Sequence, residues 1–443
     1  MLSLAKALRL SDPVASVAFV GAGGKTTGMF QLARELAPAL VAASTHLGAW
    51  QTSQADTHLV WQAGQPAPEI ETQGITLVTG GLHPESNRYG GLTPPQLDEL
   101  RQFAELHNLP LLIEADGSRQ KPLKTPAEHE PPIPDFVESV VVVAGLSGLG
   151  QALDEENVHR AERFAALSGL KIGEKVSAGA LAQVLNQAEG GLKNIPKAAR
   201  RVALLNQADS PDLQSLGGGM AGELLKNYAS VLVASLQNRQ IHAVLEPLAG
   251  IILAAGQASR YGQPKQLLDY HGQPFVRQVA KTALASGLSP VVVVCGANAQ
   301  AVEAAVAGLD VVIVQNGDWQ EGQASSIRAG LAHPPQPPGW GGAVFLLADQ
   351  PHVTRHVIAA LTSRHAQGLF PITLPLITDR RGNPVLFDRA TFPDLLKLAG
   401  DVGGRALFRH YPLEYIPWHD ESLLLDVDNE DDYRKLLAWG VQD

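Results

Sequence analysis

A single cysteine, Cys295, stands in a chain of 443 residues. No intramolecular disulfide can form, and a cysteine-rich metal site is excluded. Cys295 ends the apolar run 291–294 and reads as a buried strand residue. Apolar runs of membrane-spanning length are also missing. The first ten residues carry Lys6 and Arg9 in a short amphipathic stretch, without the apolar core and cleavage site of a secretory signal. The expected location is the cytoplasm, with no membrane partner. There is no dense basic run, and the net charge is −10. Nucleic acid is therefore not an expected partner, although local phosphate sites are compatible with this charge. What the chain has in quantity is apolar residues, 45% of the total. That content suits globular cores, and the length suits more than one domain.

The richest stretch is Leu253-Ala-Ala-Gly-Gln-Ala-Ser-Arg-Tyr-Gly-Gln-Pro-Lys-Gln-Leu-Leu268. The short apolar run 248–253 before it reads as a buried strand. Gly256 and Gly262 let the backbone approach a ligand closely. Freed N–H groups with Arg260 and Lys265 suit a triphosphate. The plainer reading is a strand-to-helix turn with two solvated cations. Downstream, 274–286, 300–307 and 430–437 carry helical periodicity, and 290–295, 311–315 and 343–347 read as strands. The last of these strands ends in Ala348-Asp-Gln-Pro351, placing Asp349 where open α/β sheets hold ligands.

The first half opens similarly. A strand over 14–20 precedes Gly21-Ala-Gly-Gly-Lys-Thr-Thr27 and a helix over 29–36. Strand, glycine turn, Lys-Thr and helix is the context of a P-loop. Gly23, Gly24, Lys25, Thr26 and Thr27 would form the cradle, with Lys25 on the β- and γ-phosphates and the Thr26 hydroxyl on Mg²⁺. Phe19 stands where the full pattern has its first glycine, so the cradle is shorter or differently shaped. A tight turn packing helix on sheet is the alternative. The strand 110–113 leads into Glu114-Ala-Asp116. Asp116 is the first choice for a carboxylate near Mg²⁺, and Glu114 the second. The strand 202–205 ends in Asn206-Gln-Ala-Asp209, which is similar to the base-reading Asn-Lys-x-Asp of GTPase-like proteins, with Gln207 replacing the lysine. Helix is expected over 223–236 after a turn at 217–219, and a domain boundary between 237 and 247. Alternating strands and helices give an α/β fold with parallel sheets in two domains.

Two family resemblances sharpen this. The stretch 253–268 resembles the signature of the MobA-like nucleotidyltransferases, and within them the MocA-like molybdenum cofactor cytidylyltransferases. Ala254-Ala255-Gly256 stands where the guanylyltransferase relatives usually carry Ala-Gly-Gly or Gly-Gly. The resemblance implies a Rossmann-like (GT-A type) domain over about 245–443, with Leu253, Ala254, Ala255, Gly256, Arg260, Lys265, Gly322, Ser325 and Ser326 at the nucleotide. It implies Mg²⁺ on Asp349 and a second carboxylate from Leu423-Leu-Leu-Asp-Val-Asp-Asn429. Asp428 is the choice for that carboxylate and Asp426 the alternative. Arg260, Lys265 and Asp349 would carry catalysis, with CTP and molybdopterin as substrates. The runs 380–385 and 400–405 would line the pocket of the second, phosphorylated substrate.

The proline-rich run 114–134, with Arg119, Lys121, Lys124, Glu128, His129 and Glu130, resembles the signature of the YqeC family, as does Ser44-Thr-His46. This covers most of residues 1–240 and implies a P-loop-like nucleotide-binding domain and an accessory role toward a molybdenum hydroxylase apoenzyme. His46 and His129 are candidate ligands or catalytic groups, or structural histidines. The function so implied is CMP transfer to molybdopterin. The alternatives are a guanylyl or sugar-phosphate nucleotidyltransferase, or a delivery chaperone for the cofactor.

Overall fold

The structure is a computed structural model that describes residues 2–10, 15–257, 263–332 and 339–438. The chain forms two compact units, Met1–Leu245 and Glu246–Asp443. Among the described residues no helix is long and apolar enough to cross a membrane.

The first unit is built on a nine-stranded sheet. Its strands are β1 (Ser16–Gly21), β2 (Ala39–Ala43), β3 (Thr57–Val60), β4 (Ile75–Thr79), β5 (Leu111–Glu114), β6 (Ser139–Gly145), β7 (Arg200–Asn206), β8 (Ser230–Ser235) and β9 (Gln240–Leu245). The order is β9-β8-β7-β6-β1-β5-β2-β4-β3, parallel except for the β8–β9 edge. β1 is central, and its Val17, Ala18 and Phe19 are all inaccessible. The chain first fills one side of β1 and then the other, so the turn after β1 sits at the switch point, where open α/β sheets hold ligands. That turn leads into α1 (Lys25–Leu36), whose Met29, Phe30, Leu32 and Ala33 are buried.

Two expectations fail here. Residues 217–219 are not a turn. They end a helix, Pro211–Gly219, started by Ser210 capping Leu213 N–H and by a proline in the first turn. The expected helix over 223–236 is a four-residue helix, Ala221–Leu224, followed by β8. The cause is legible afterwards: Ser230–Ser235 is a continuous buried run flanked by parallel or antiparallel neighbours on both sides, and periodicity alone does not separate such a strand from a buried helix. Likewise β9 lies in the expected boundary region yet belongs to the first sheet.

The second unit has an eight-stranded mixed sheet. It comprises β10 (Leu248–Ala254), β11 (Val291–Cys295), β12 (Val312–Gln315), β13 (Gly342–Leu347), β14 (Ile372–Ile377), β15 (Arg380–Arg381), β16 (Val385–Asp388) and β17 (Leu413–Pro417). The path is β12-β11-β10-β13-β16-β14-β15, with β17 on β14. β10 is parallel to both β11 and β13. Alternate residues of β10 serve opposite faces, as the pleat requires: Ile252 and Ala254 join one core, Ala249 and Ile251 the other. α2 (Phe275–Ala285) and α4 (Arg355–Gly368) cover the first face, and α3 (Gln323–Leu331) the second. Cys295 is free and buried at the end of β11.

Candidate functional site

In the second unit β10 and β13 run side by side, Leu253 opposite Leu347. Their C-terminal ends open onto a cleft of about 670 Å³. Leu253, Ala254, Ala255, Gly256, Lys265, Gly322, Ser326, Asp349 and Asp428 all line it. Arg260 and Gly262 lie outside the described residues. The Gln266 amide donates to Gly256 O at 3.1 Å, bracing the backbone just after β10. Lys265 Nζ donates to Asp428 Oδ1 at 2.7 Å. Asp349 projects from the turn after β13. Burial pushes its carboxyl above the ordinary carboxylate range; Lys265 pulls the other way, and Asp426 and Asp428 add to the rise.

Of the two C-terminal aspartates, Asp428 faces this cleft, whereas Asp426 accepts from Gln350 Nε2 at 3.0 Å and lines an adjoining cavity. Ser325 does not line the cleft. Its hydroxyl is buried, donates to Gly322 O and accepts from Asn316 Nδ2, both at 2.8 Å. Asn316 also reaches Ser326 Oγ, at 3.1 Å, so this amide braces the start of α3. Gly322 starts that helix at φ +105°, and a Cβ there would lie 2.4 Å from the Asp401 Cα. The adjoining cavity, about 300 Å³, shares Leu253, Gln323 and Leu347 with the cleft. Asn383, Gly403, Gly404 and Arg405 from the two runs named above line it, among Phe345, Val385 and Phe387. Arg380 and Arg381 do not: both are exposed, and Arg381 donates to Tyr415 OH at 3.1 Å.

Does the cleft suit a divalent cation? Among the described residues, four carboxylates line it (Glu321, Asp349, Asp401 and Asp428) against one lysine. A triphosphate is repelled by such a lining unless cations come with it. No group of three metal-ligating side chains gathers among the described residues. Mg²⁺ does not require one, since it takes one or two carboxylates and completes its shell with water and phosphate oxygens. The donor set fits.

The first unit holds a separate cleft of about 250 Å³ beyond β1. Gly23, Gly24, Lys25, Thr26 and Thr27 line it. A Cβ on Gly23 would lie 2.5 Å from Gly145 backbone atoms, and one on Gly24 2.2 Å from Asn206 Nδ2, so the turn tolerates no larger residue. Asp116 is not placed for a metal. It is buried, takes the Gly21 N–H on both oxygens at 3.0–3.1 Å, and is paired with Lys25 at 3.3 Å and Lys124 at 2.7 Å. Its lone pairs are spent on the turn. Glu114 faces the cleft instead, accepting from Thr26 Oγ1 at 2.6 Å; burial raises its carboxyl pKa. Asn206 and Asp209 do not form a base reader. The Asn206 amide is buried, donating to Gly23 O at 2.7 Å and accepting from Leu236 N–H at 2.9 Å. Asp209 is exposed and lines nothing here, while Gln207 reaches the cleft. His46 lines the cleft with its ring 5.0 Å from that of His83; His129 is exposed outside it. Trp50, Gln51 and Arg88 line it too, unsignalled by any local motif, because they come from separate connections after β2 and β4.

Comparison with known proteins agrees with this two-part architecture. The model of the MobA-like NTP transferase domain matches residues 250–415, and that of the YqeC protein residues 17–162. The chain is 34% identical to the uncharacterized protein YqeC of Escherichia coli K12, over 43% of this chain and 75% of that one. It is 35% identical to the nicotine blue oxidoreductase of Paenarthrobacter nicotinovorans, over 43% of this chain and 96% of that one. The solved structure of Rv0371c from Mycobacterium tuberculosis H37Rv aligns with a TM-score of 0.39 at 32% identity, over 44% of this chain and all of that one. The chain thus belongs to two families in tandem, YqeC over residues 17–162 and the MobA-like NTP transferases over residues 250–415, and through the second it is a nucleotidyltransferase.

Proposed function

We propose that the second unit transfers CMP from CTP to the terminal phosphate of molybdopterin and releases pyrophosphate. The observation that carries this is the meeting of Lys265, Asp349 and Asp428 on one cleft at the ends of the two central strands. The pterin phosphate oxygen attacks the α-phosphorus, and the bond to the bridging oxygen breaks with its electron pair leaving on pyrophosphate. The attacking oxygen is already an anion, so no general base is needed, and catalysis is positioning and charge stabilisation. Lys265, held toward the cleft by Asp428, takes up charge that develops on the phosphates. Backbone N–H groups around Gly256, whose carbonyl takes the Gln266 amide, would meet them. Asp349 and Asp428 would hold Mg²⁺, which supplies charge neutralisation at the α-phosphate. The adjoining cavity, lined by Phe345, Val385 and Phe387 together with Asn383, Arg405 and Asp426, suits a planar acceptor whose anionic group meets Arg405. Ala254 and Ala255 favour cytosine over guanine by the family resemblance, and the first unit acts as the accessory domain toward a cytoplasmic hydroxylase.

The test is pyrophosphate release by the full chain with Mg²⁺ and molybdenum-loaded pterin, comparing CTP, GTP and ATP. Release with CTP alone, lost in Asp349→Ala, is expected. Release with GTP moves the assignment to guanylyl transfer, and no release with any nucleotide supports a carrier that delivers cofactor. The name of the Paenarthrobacter relative, an oxidoreductase, brings a second reading, and oxidation or reduction of a substrate without pyrophosphate release would favour it.

A further inference from the structure

The cleft of the first unit has the opposite electrostatic character to that of the second. Among the described residues, four cations line it (Lys25, Arg88, Arg119 and Lys121) against one carboxylate, Glu114, in a chain whose net charge is −10. Such a lining selects an anion. The floor is the turn Gly23–Gly24 and the first turn of α1, and the N–H groups of a helix's first turn have no partner within the helix, which suits an anion. Lys25 itself is buried and held by Gly21 O at 2.7 Å and by Asp116, so its ammonium is fixed rather than mobile.

Beside it, Thr26 Oγ1 donates to Glu114 Oε2 at 2.6 Å and accepts from Gln51 Nε2 at 2.8 Å. Gln51 in turn accepts from Gly48 N–H at 2.8 Å. A hydroxyl and a buried carboxylate fixed side by side, next to a phosphate-sized turn, are the two protein ligands Mg²⁺ takes from a site of this kind. The third feature is independent of both. Trp50 lines the same cleft with 53% of its surface exposed, although large apolar side chains are usually covered. Its ring lies over Gly48, where a Cβ would come within 2.5 Å of it. Gly48 pairs with Arg88 across a short antiparallel ladder, so a guanidinium and an open indole face flank the same opening.

We infer that the first unit carries a second nucleotide site, binding a Mg²⁺–nucleoside triphosphate with its phosphates on Gly23–Thr27, its metal beside Thr26 and Glu114, and its base stacked on Trp50. Base recognition is then by stacking, which tolerates any base, because Asn206 is spent inside the turn and Asp209 is outside the cleft. The site stands apart from the transferase reading of the second unit, so either can fail without the other.

The experiment is hydrogen exchange by mass spectrometry on the full chain, with Mg²⁺ and either AMP-PNP or tripolyphosphate. Peptides locate the binding, so occupancy of the second unit's cleft does not confuse the result. Both ligands are expected to protect residues 21–28, and only AMP-PNP to protect 46–52. Titrated through residues 21–28, Trp50→Ala is expected to weaken AMP-PNP roughly tenfold, the loss of one stacked base, and to leave tripolyphosphate unchanged. Trp50 is exposed, so this variant does not depend on refolding a core. Thr26→Ala is expected to remove the Mg²⁺ dependence of protection. Three outcomes overturn the inference: protection confined to residues 253–267 and 322–326, protection of 21–28 by tripolyphosphate without AMP-PNP, or equal weakening of both ligands by Trp50→Ala.

Discussion

Replacing Lys265 by alanine separates transition-state stabilisation from simple binding. The ammonium lies 2.7 Å from Asp428 Oδ1, with 22% of the lysine side chain exposed and 54% of the aspartate. A pair that open to water contributes at most about 1 kcal/mol to stability, which in a unit of this size moves Tm by about 2–4 °C. The variant therefore folds, and a larger loss of activity reports chemistry. A donor aimed at charge that grows on the reacting phosphates is worth about 10²–10³ in kcat. The expected result is a fall of that size in kcat for pyrophosphate release, with CTP affinity changing less than about tenfold, measured by single-turnover and steady-state assays on the same preparation. A second readout follows from the neighbouring carboxylate. Lys265 is the main influence holding the Asp349 pKa down against burial. Without it that pKa rises further, and the acid limb of the pH–rate profile moves to higher pH. Equal losses in kcat and CTP affinity, with metal binding intact, would refute the role.

Asp349→Asn removes a carboxyl whose folded-state pKa is raised. Such a group stabilises the fold only in its protonated form, below its unfolded pKa, and that stability is lost as pH rises through the folded value. The Tm of the metal-free variant is therefore expected to exceed that of the unaltered chain at neutral pH, with the gap closing in acid; a constant gap across pH would contradict this. Asp116→Ala leaves Lys25 and Lys124 buried without their shared counter-charge and is expected to cost about 3–5 kcal/mol in the urea transition of the first unit. Asn206→Ala strips buried partners from Gly23 O and Leu236 N–H, an expected loss of about 2 kcal/mol. Asp209→Ala, at an exposed position, is expected to stay within about 0.5 kcal/mol and to leave nucleotide preference untouched; a change in base preference would restore the base-reading role.

What the sequence determined by itself was local. Short apolar runs ending in turns rich in glycine or proline were enough to locate β1, β10 and β13, because a buried strand and a tight turn each leave a signature within a few residues. Long motifs carried the family membership of both parts for the same reason. The errors came where an apolar run had two lawful readings, as at Ser230–Ser235, which only a strand partner on each side made a strand. Roles of individual side chains needed the tertiary structure. Asp116 and Glu114 are two residues apart in sequence, yet one is locked under the glycine turn by two lysines and the other faces the cleft. Asp426 and Asp428 part in the same way, one onto Gln350 and the other onto Lys265. Trp50 and Arg88 join the turn at residues 23–27 only because separate connections converge beside the end of β1. Spacing in sequence sets which residues are near, but the partners that claim each lone pair and each proton come from distant parts of the chain, and they decide which carboxylate is left to meet a ligand.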